Sequence, residues 1–268
     1  MQPKDLVESA IEIATHAGGL IRDIYQSGSF SKLTKSDETP VTSADLAAHE
    51  YIVNALRQLT PTTPILSEED ANVPLQERGR WSRYWLVDPL DGTQEFIAGS
   101  GDFAVNIALI EDNTPVMGVV YAPMTKACYF AVKGQGAFKR LAGETQRIRT
   151  NKIDPQQLTE LRMAVSRRQK TERLLAHLTP DLEYQLEPMG SAALKSCWIA
   201  EGQADCYIRL GPTGEWDTGA TQCIVEQAGG QILSLQLEPL SYNQRESLEN
   251  PDFVVLGEPQ LNWEDILR

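Results

Sequence analysis

Asp88 and Asp91 stand where the apolar run Tyr84–Val87 ends, and Gly92 and Thr93 follow them directly. The run is short and rich in aromatic and branched side chains, which predicts an interior strand. Pro89 fixes its own φ and keeps Asp88 out of the α region, so the chain leaves that strand in an extended turn. Such a turn can aim Asp88, the Leu90 carbonyl and Asp91 at one point. A donor set made only of oxygen suits a hard cation such as Mg²⁺ better than zinc or copper. If a helix starts at Gly92, the free amides of Gly92 and Thr93 can hold a phosphate. The alternative is a Pro-containing turn and a helix capped by Asp91. Against it, two acids straight after an apolar strand repel each other unless something positive lies between them.

Three further acids have the same two-sided character. Asp217 opens a helix after Trp216, where it either caps that helix or reaches across to Asp91 and completes a second metal site. Glu68, with Glu69 and Asp70, closes the short strand Ile65–Ser67. That fragment alone favours a surface turn, but alignment of the strand beside Trp85–Val87 would bring Glu68 next to Asp88. Asp45 lies in the first turn of a helix that Thr42 or Ser43 can cap, where its charge suits the helix dipole.

The elements that must position these residues follow from periodicity and breakers. Leu6, Ala10, Ile13, Ala17, Leu20, Ile21 and Ile24 recur at helical spacing between Pro3 and Gly28, predicting a packing helix over 4–26. The polar segment Lys32–Pro40 is a loop or a lid. Phe103–Ile110, Val116–Tyr121 and Ala127–Val132 read as successive strands of a large, mainly antiparallel sheet. The polar stretch around Pro155 places a boundary between an N-terminal lobe, 1–155, that carries the metal site, and a C-terminal α/β lobe, 156–268, that contributes Asp217. In that second lobe, Ser166–Lys170 is the most basic patch, either a solvated turn or a contact for a second phosphate. Gly190 and Ser191 precede a helix over Ser191–Glu201, the next helix runs from Glu215 to Ala228, and residues 231–256 read as closing strands before a weak terminal helix.

A formal net charge of −13 over 268 residues argues against duplex or RNA binding, which needs clustered basic charge. The four cysteines are far apart and suggest neither a zinc knuckle nor a disulfide framework, as in a reduced cytoplasmic protein. Lys4, Asp5, Glu8 and Glu12 interrupt the N-terminus, so no signal peptide is expected, and no apolar run reaches membrane-spanning length. Peripheral attachment at an inner membrane stays open.

Asp91-Gly92-Thr93-Gln94-Glu95-Phe96 and Trp216-Asp217-Thr218-Gly219-Ala220 together resemble the paired signatures of the inositol monophosphatase superfamily, Mg²⁺-dependent and lithium-sensitive. Val105–Ile110, Gly118–Pro123, Ala200–Ala204 and Gly211–Thr213 extend the resemblance over nearly the whole chain, which looks most like the bacterial CysQ-type 3'(2'),5'-bisphosphate nucleotidases. The resemblance implies an α+β fold, a layered α-β-α-β-α sandwich of the sugar phosphatase and inositol monophosphatase type. It implies that Glu68, Asp88, Leu90, Asp91 and Asp217 bind two Mg²⁺ ions, with room for a third near Glu68. Asp45 and Thr93 would orient the attacking water, with Glu68 sharing the catalytic work. Glu68, Leu90, Asp91, Gly92, Thr93, Gly190, Ser191, Lys195 and Asp217 would contact the substrate. The expected reaction is hydrolysis of 3'-phosphoadenosine 5'-phosphate to AMP and phosphate, in the context of sulfur assimilation, by a homodimer. Rival readings are an inositol monophosphatase, a broad sugar phosphatase, or an idle sensor of Mg²⁺ and nucleotide. Gly219 stands where the family usually has Ala, Ala98 where a polar residue is usual, and Gln169 where CysQ-type proteins often have His.

Overall fold

The computed structural model describes residues 1–34 and 40–268. The central part of the lid expected at Lys32–Pro40 lies outside the described residues. The first helix, α1 (Pro3–Ser27), has Pro at its first position and Gly28 as a left-handed C-cap at φ 64°, donating to the Tyr25 carbonyl. Proline loses no hydrogen bond at that position, and glycine takes the left-handed cap without a Cβ penalty. After the short pair β1 (Lys32–Thr34) and β2 (Pro40–Thr42) comes α2 (Ser43–Leu59), capped by Thr42.

Seven strands then form one sheet in the order β3 (Ile65–Ser67), β4 (Arg83–Asp91), β5 (Ala104–Glu111), β6 (Thr114–Ala122), β7 (Ala127–Val132), β8 (Gly136–Leu141) and β9 (Glu144–Ile148). Only β3 and β4 pair in parallel, in a register that puts Ser67 opposite Val87. A one-turn 3₁₀ segment, Glu68–Asp70, and the short helix α3 (Leu75–Arg78) make the crossover between them. A second helix, α4 (Thr93–Ala98), leaves the end of β4.

A five-stranded sheet follows, in the order β11 (Glu183–Pro188), β10 (Glu160–Val165), β12 (Cys206–Arg209), β14 (Phe253–Leu256) and β13 (Gln231–Ser234). Its helices are α5 (Thr171–Leu175), α6 (Ala192–Ala200), α7 (Glu215–Ala228) and α8 (Trp263–Ile266).

Strand β4 is buried on both faces, and its alternation sorts the core. Trp85 and Val87 pack with α1 and α2 on one side, while Tyr84 and Leu86 pack with α6 and α7 on the other. Helices α6 and α7 also meet Tyr207, Phe253 and Val255 of the second sheet, whose outer face packs against Leu174, Trp263 and Ile266. The order is therefore α1/α2, large sheet, α6/α7, small sheet, α5/α8, an α+β sandwich of the expected layering. Two surfaces cover α6, so it is buried all round and Lys195 is buried with it.

The tail departs from the expected run of closing strands. Of that tail Gln231–Ser234 and Phe253–Leu256 form strands, and the irregular stretch between them, with isolated bridges at Pro239 and Glu249, turns back to α7, where Leu248 accepts from the Glu215 amide and the Asn250 amide donates to Thr213. Pro239 and Pro251 lack the amide a ladder requires, and Leu237 and Asn243 hold positive φ.

Candidate active site

Period-two alternation puts Asp88 on the same side of β4 as Leu86, facing α7, and the ladder with β5 becomes irregular between Asp88 and Asp91. The Leu90 amide closes the turn onto Asp88 Oδ1 at 3.0 Å. Gly92 then adopts φ 97° as the N-cap position of α4, and the Glu95 and Phe96 amides close on its carbonyl. The alternative role for Asp91, a side-chain cap of α4, does not occur. Its carboxylate turns to α6 instead, taking the Ser191 hydroxyl and the Ala193 amide, the latter at 2.7 Å. Glycine, not aspartate, fits the left-handed cap, and the neighbouring helix offers Asp91 a better set of free amides.

On the α6/α7 side of the large sheet, α7 delivers Asp217. It closes a capping turn through the Gly214 amide at 2.7 Å and at the same time faces the other carboxylates. Oxygens of Asp88, Asp91 and Asp217 all lie within 4.8 Å of one another. The parallel register of β3 and β4 brings Glu68 beside Asp88, and their side chains hydrogen-bond. Burial, then the charges of Glu68, Asp217 and Asp91, push the Asp88 carboxyl well above the usual range. Burial and the charges of Asp91 and Glu68 push Asp217 up in the same way, partly opposed by the Gly214 amide and by Arg209. Acids this close, with little positive charge beside them, are stabilised by a cation, and their all-oxygen donors fit a hard divalent one. The buried cluster of carboxylates is therefore compatible with the divalent metal.

Beside the cluster, the Thr93 hydroxyl donates to Asp45 Oδ1 at 2.9 Å. The other Asp45 oxygen accepts from the Thr42 hydroxyl at 2.5 Å and the Thr42 amide at 2.8 Å, so Asp45 caps α2 and holds Thr93 at once. Burial raises the Asp45 pKa, with the Thr42 and Thr93 hydrogen bonds opposing it. The Leu90 carbonyl lies 3.3 Å from the same Thr93 hydroxyl.

A cleft of about 560 Å³ opens in front of these groups, a size that admits a nucleotide. Glu68, Asp91, Gly92, Thr93, Ser191, Lys195 and Asp217 line it. Gly190 lies instead against Asp102 and Glu95, with its amide on Asp102 Oδ2 at 2.9 Å. Ser191 holds φ 56° and spends its hydroxyl on Asp91. Lys195 is not solvent-facing: its Nζ donates to the Ser191 carbonyl at 2.6 Å, and burial lowers its pKa to about 8. The basic turn is exposed, as the solvated reading expected, and its arginines are also paired, Arg167 with Asp102 at 2.6 Å and Arg168, on the cleft wall, with Glu95 at 2.9 Å. These pairs tie residues 166–169 to the chain around α4, an outcome that needs partners distant in sequence. Sequence reasoning missed Arg209, which also lines the cleft. Its signal was an arginine at the end of an apolar strand, directly before Leu210-Gly211-Pro212.

Residues 2–262 match the model of the inositol monophosphatase family. The chain belongs to this family. Curated relatives include the 3'(2'),5'-bisphosphate nucleotidase CysQ of Aggregatibacter actinomycetemcomitans, 44% identical over 98% of this chain and 97% of that protein. The CysQ of Salmonella typhimurium is 44% identical over 93% of this chain and 99% of its own length. Among solved structures, CysQ from Bacteroides thetaiotaomicron, a bacterial member of the inositol monophosphatase family, superposes with a TM-score of 0.80 at 35% identity, covering 96% of this chain and 98% of that one. The expected family, its CysQ-type branch and its hydrolase class therefore hold. Membership of the inositol monophosphatase family implies use of a divalent metal. No helix among the described residues is long and apolar enough to cross a membrane.

Proposed function

We propose that this protein is a Mg²⁺-dependent phosphomonoesterase that converts 3'-phosphoadenosine 5'-phosphate to AMP and phosphate, as the names of its relatives suggest. The observation that carries the reading is the Thr93–Asp45 hydrogen bond of 2.9 Å set beside the carboxylate cluster, since a pure binder needs no such pair. Glu68, Asp88 and the Leu90 carbonyl would hold one Mg²⁺, and Asp88, Asp91 and Asp217 a second. When bound, magnesium supplies Lewis-acid stabilisation of phosphoryl and leaving-group oxygens and makes water more acidic.

The chain's own residues do the rest. Thr93 gives its one hydroxyl proton to Asp45, so its oxygen can only accept, and it orients a water by taking that water's O–H. As the water attacks phosphorus and the bond to the ribose oxygen breaks, the water's proton passes to Thr93 Oγ while the threonine proton moves to Asp45 Oδ1, and the leaving oxygen takes a proton from solvent. A raised pKa makes Asp45 a stronger base for this step than an ordinary carboxylate. Ser191 and the Ala193 amide keep Asp91 from turning away. The Gly92 and Thr93 amides, outside the ladder of α4, would hold non-bridging phosphate oxygens. We assign the lobes as 1–155, with the large sheet, and 156–268, which brings Asp217 and Ser191.

The test is phosphate release from 3'-phosphoadenosine 5'-phosphate and from inositol 1-phosphate, side by side, with Mg²⁺ and with chelator. The expected result is Mg²⁺-dependent release favouring the nucleotide, inhibited by lithium. Preference for inositol phosphate would overturn the substrate, and release from neither would leave a binding role.

A further inference from the structure

We infer that Arg209 receives the second phosphate of a bisphosphate substrate and so sets the selectivity of the cleft, an inference that rests on the proposed nucleotidase reading. Arg209 ends β12, two residues beyond the fully buried Tyr207 and on the same face of the sheet, so it points toward the α6/α7 layer where the cleft opens. Its Nη2 donates to the Pro212 carbonyl at 3.0 Å, which anchors the guanidinium against the turn leading to Asp217. Its Nε is buried, and the guanidinium also bonds the hydroxyl of Tyr207 beside it. A guanidinium carries five N–H donors, more than these two neutral partners take up, and an anion entering the cleft engages the rest with charge-assisted bonds.

The other cations on the cleft wall are already engaged. Arg168 is held by Glu95 at 2.9 Å and by the Gln94 side chain and carbonyl, both at 2.8 Å. Lys195 is buried on the Ser191 carbonyl, with Nζ 4.9 Å from the centre of the Tyr207 ring. Arg209 makes no ion pair among the described residues, although it lies close enough to Asp217 to favour that residue's ionised form. The cleft is otherwise lined by acids, among them Glu68, Asp91, Glu95 and Asp217, which repel a phosphate not placed on a metal. Arg209, which forms no direct ion pair among the described residues, is therefore the point at which a second phosphate, on the same ribose as the first, is attracted and not repelled. Its planar fork matches phosphate oxygens in pairs.

The experiment measures kcat/KM for 3'-phosphoadenosine 5'-phosphate and for adenosine 3'-phosphate, which lacks the second phosphate, in the wild type, Arg209→Gln, Arg209→Lys and Arg168→Gln. The ratio of the two values should fall by about 10- to 100-fold in Arg209→Gln, with part of it regained in Arg209→Lys, and should shift by less than about 3-fold in Arg168→Gln, the scale of an exposed ion pair. A proportional loss on both substrates, with the ratio intact, overturns the inference and leaves the nucleotidase reading standing. A collapse of the ratio in Arg168→Gln but not Arg209→Gln assigns the phosphate to the basic turn instead. If the wild type hydrolyses inositol 1-phosphate and neither nucleotide, the underlying reading fails, and this inference with it. Should Arg209→Gln not fold, Arg209→Lys carries the comparison, since it keeps the charge and loses the fork.

Discussion

Asp45 does two jobs at the residue scale, and the two can be separated by substitution. Asn at this position keeps one oxygen for the Thr42 amide but can no longer take up a proton. Asp45→Asn should therefore fold and lose about 10²- to 10⁴-fold in kcat, checked by steady-state phosphate release alongside circular dichroism. Thr93→Val, which removes only the hydroxyl, should lose activity in the same range. The pH profile follows from the direction of the Asp45 shift. A base must be ionised, and burial raises the pKa of this one. Activity should therefore fall on the acid side with a midpoint above the usual carboxylate range, and the log of kcat/KM plotted against pH tests it. An acid limb near the ordinary value for Asp, about 3.9, would remove Asp45 from the role of base. Asp91→Asn should likewise abolish most turnover, because it removes one negative charge from the ligand set and so weakens binding of a hard cation.

At the scale of elements, the site depends on how closely α7 approaches the large sheet. Gly118 on β6 lies so near α7 that a Cβ there would overlap the Ala220 carbonyl oxygen, three residues after Asp217 on the same helix. Backbone cannot swing aside as a flexible side chain can, so Gly118→Ala must move the helix. We expect a loss of about 1–3 kcal/mol, read as a drop in Tm, and weaker Mg²⁺ binding, because Asp217 moves with α7. Gly219 tells the milder version: a Cβ there meets the Leu86 Cδ2 at 2.8 Å, the end of a side chain that can rotate. Behind α7, the stretch 235–252 acts as a brace. Buried Arg78 donates to Asn243 Oδ1 at 2.7 Å and to the carbonyls of Arg245 and Glu246, both at 2.6 Å. The Asn243 amide then donates to Glu215, at the first turn of α7, at 2.8 Å. That chain of bonds couples the crossover of the first sheet to the helix that carries Asp217.

For the whole molecule, the raised carboxylates make stability depend on pH and on metal together. Asp88 and Asp217 have folded pKa values above their unfolded ones, and Glu215 is pushed up to about 7 by burial. Between the unfolded and folded pKa values the folded state binds more protons, so stability without metal is greatest below the unfolded values. It falls as pH rises through the folded ones. Thermal melts in chelator should accordingly show a lower Tm at pH 8 than at pH 5. Added Mg²⁺ should restore more of it at pH 8, where the ligands are ionised and binding to the folded state alone adds stability. Equal Mg²⁺ shifts at both pH values would speak against ligation by these acids.

The sequence by itself determined the chemistry-bearing types and much of their local setting. The apolar run ending at Asp88, the helix starts at Asp45 and Asp217, and the Pro3 and Gly28 limits of α1 are local statements, settled by propensity and by hydrogen bonds within a few residues. The layered fold was legible through resemblance and alternation, since a strand buried on both faces demands cover on both. Only the tertiary structure decided that Asp91 turns to Ser191 rather than capping α4, that Lys195 is buried, and that Arg167 and Arg168 are held by Asp102 and Glu95. It alone decided that residues 235–252 return to α7, and that Arg209 is anchored on the Pro212 carbonyl at the cleft. Each of these depends on a partner far away in the chain, and the choice among partners is made by packing and desolvation, which no local pattern of residues records.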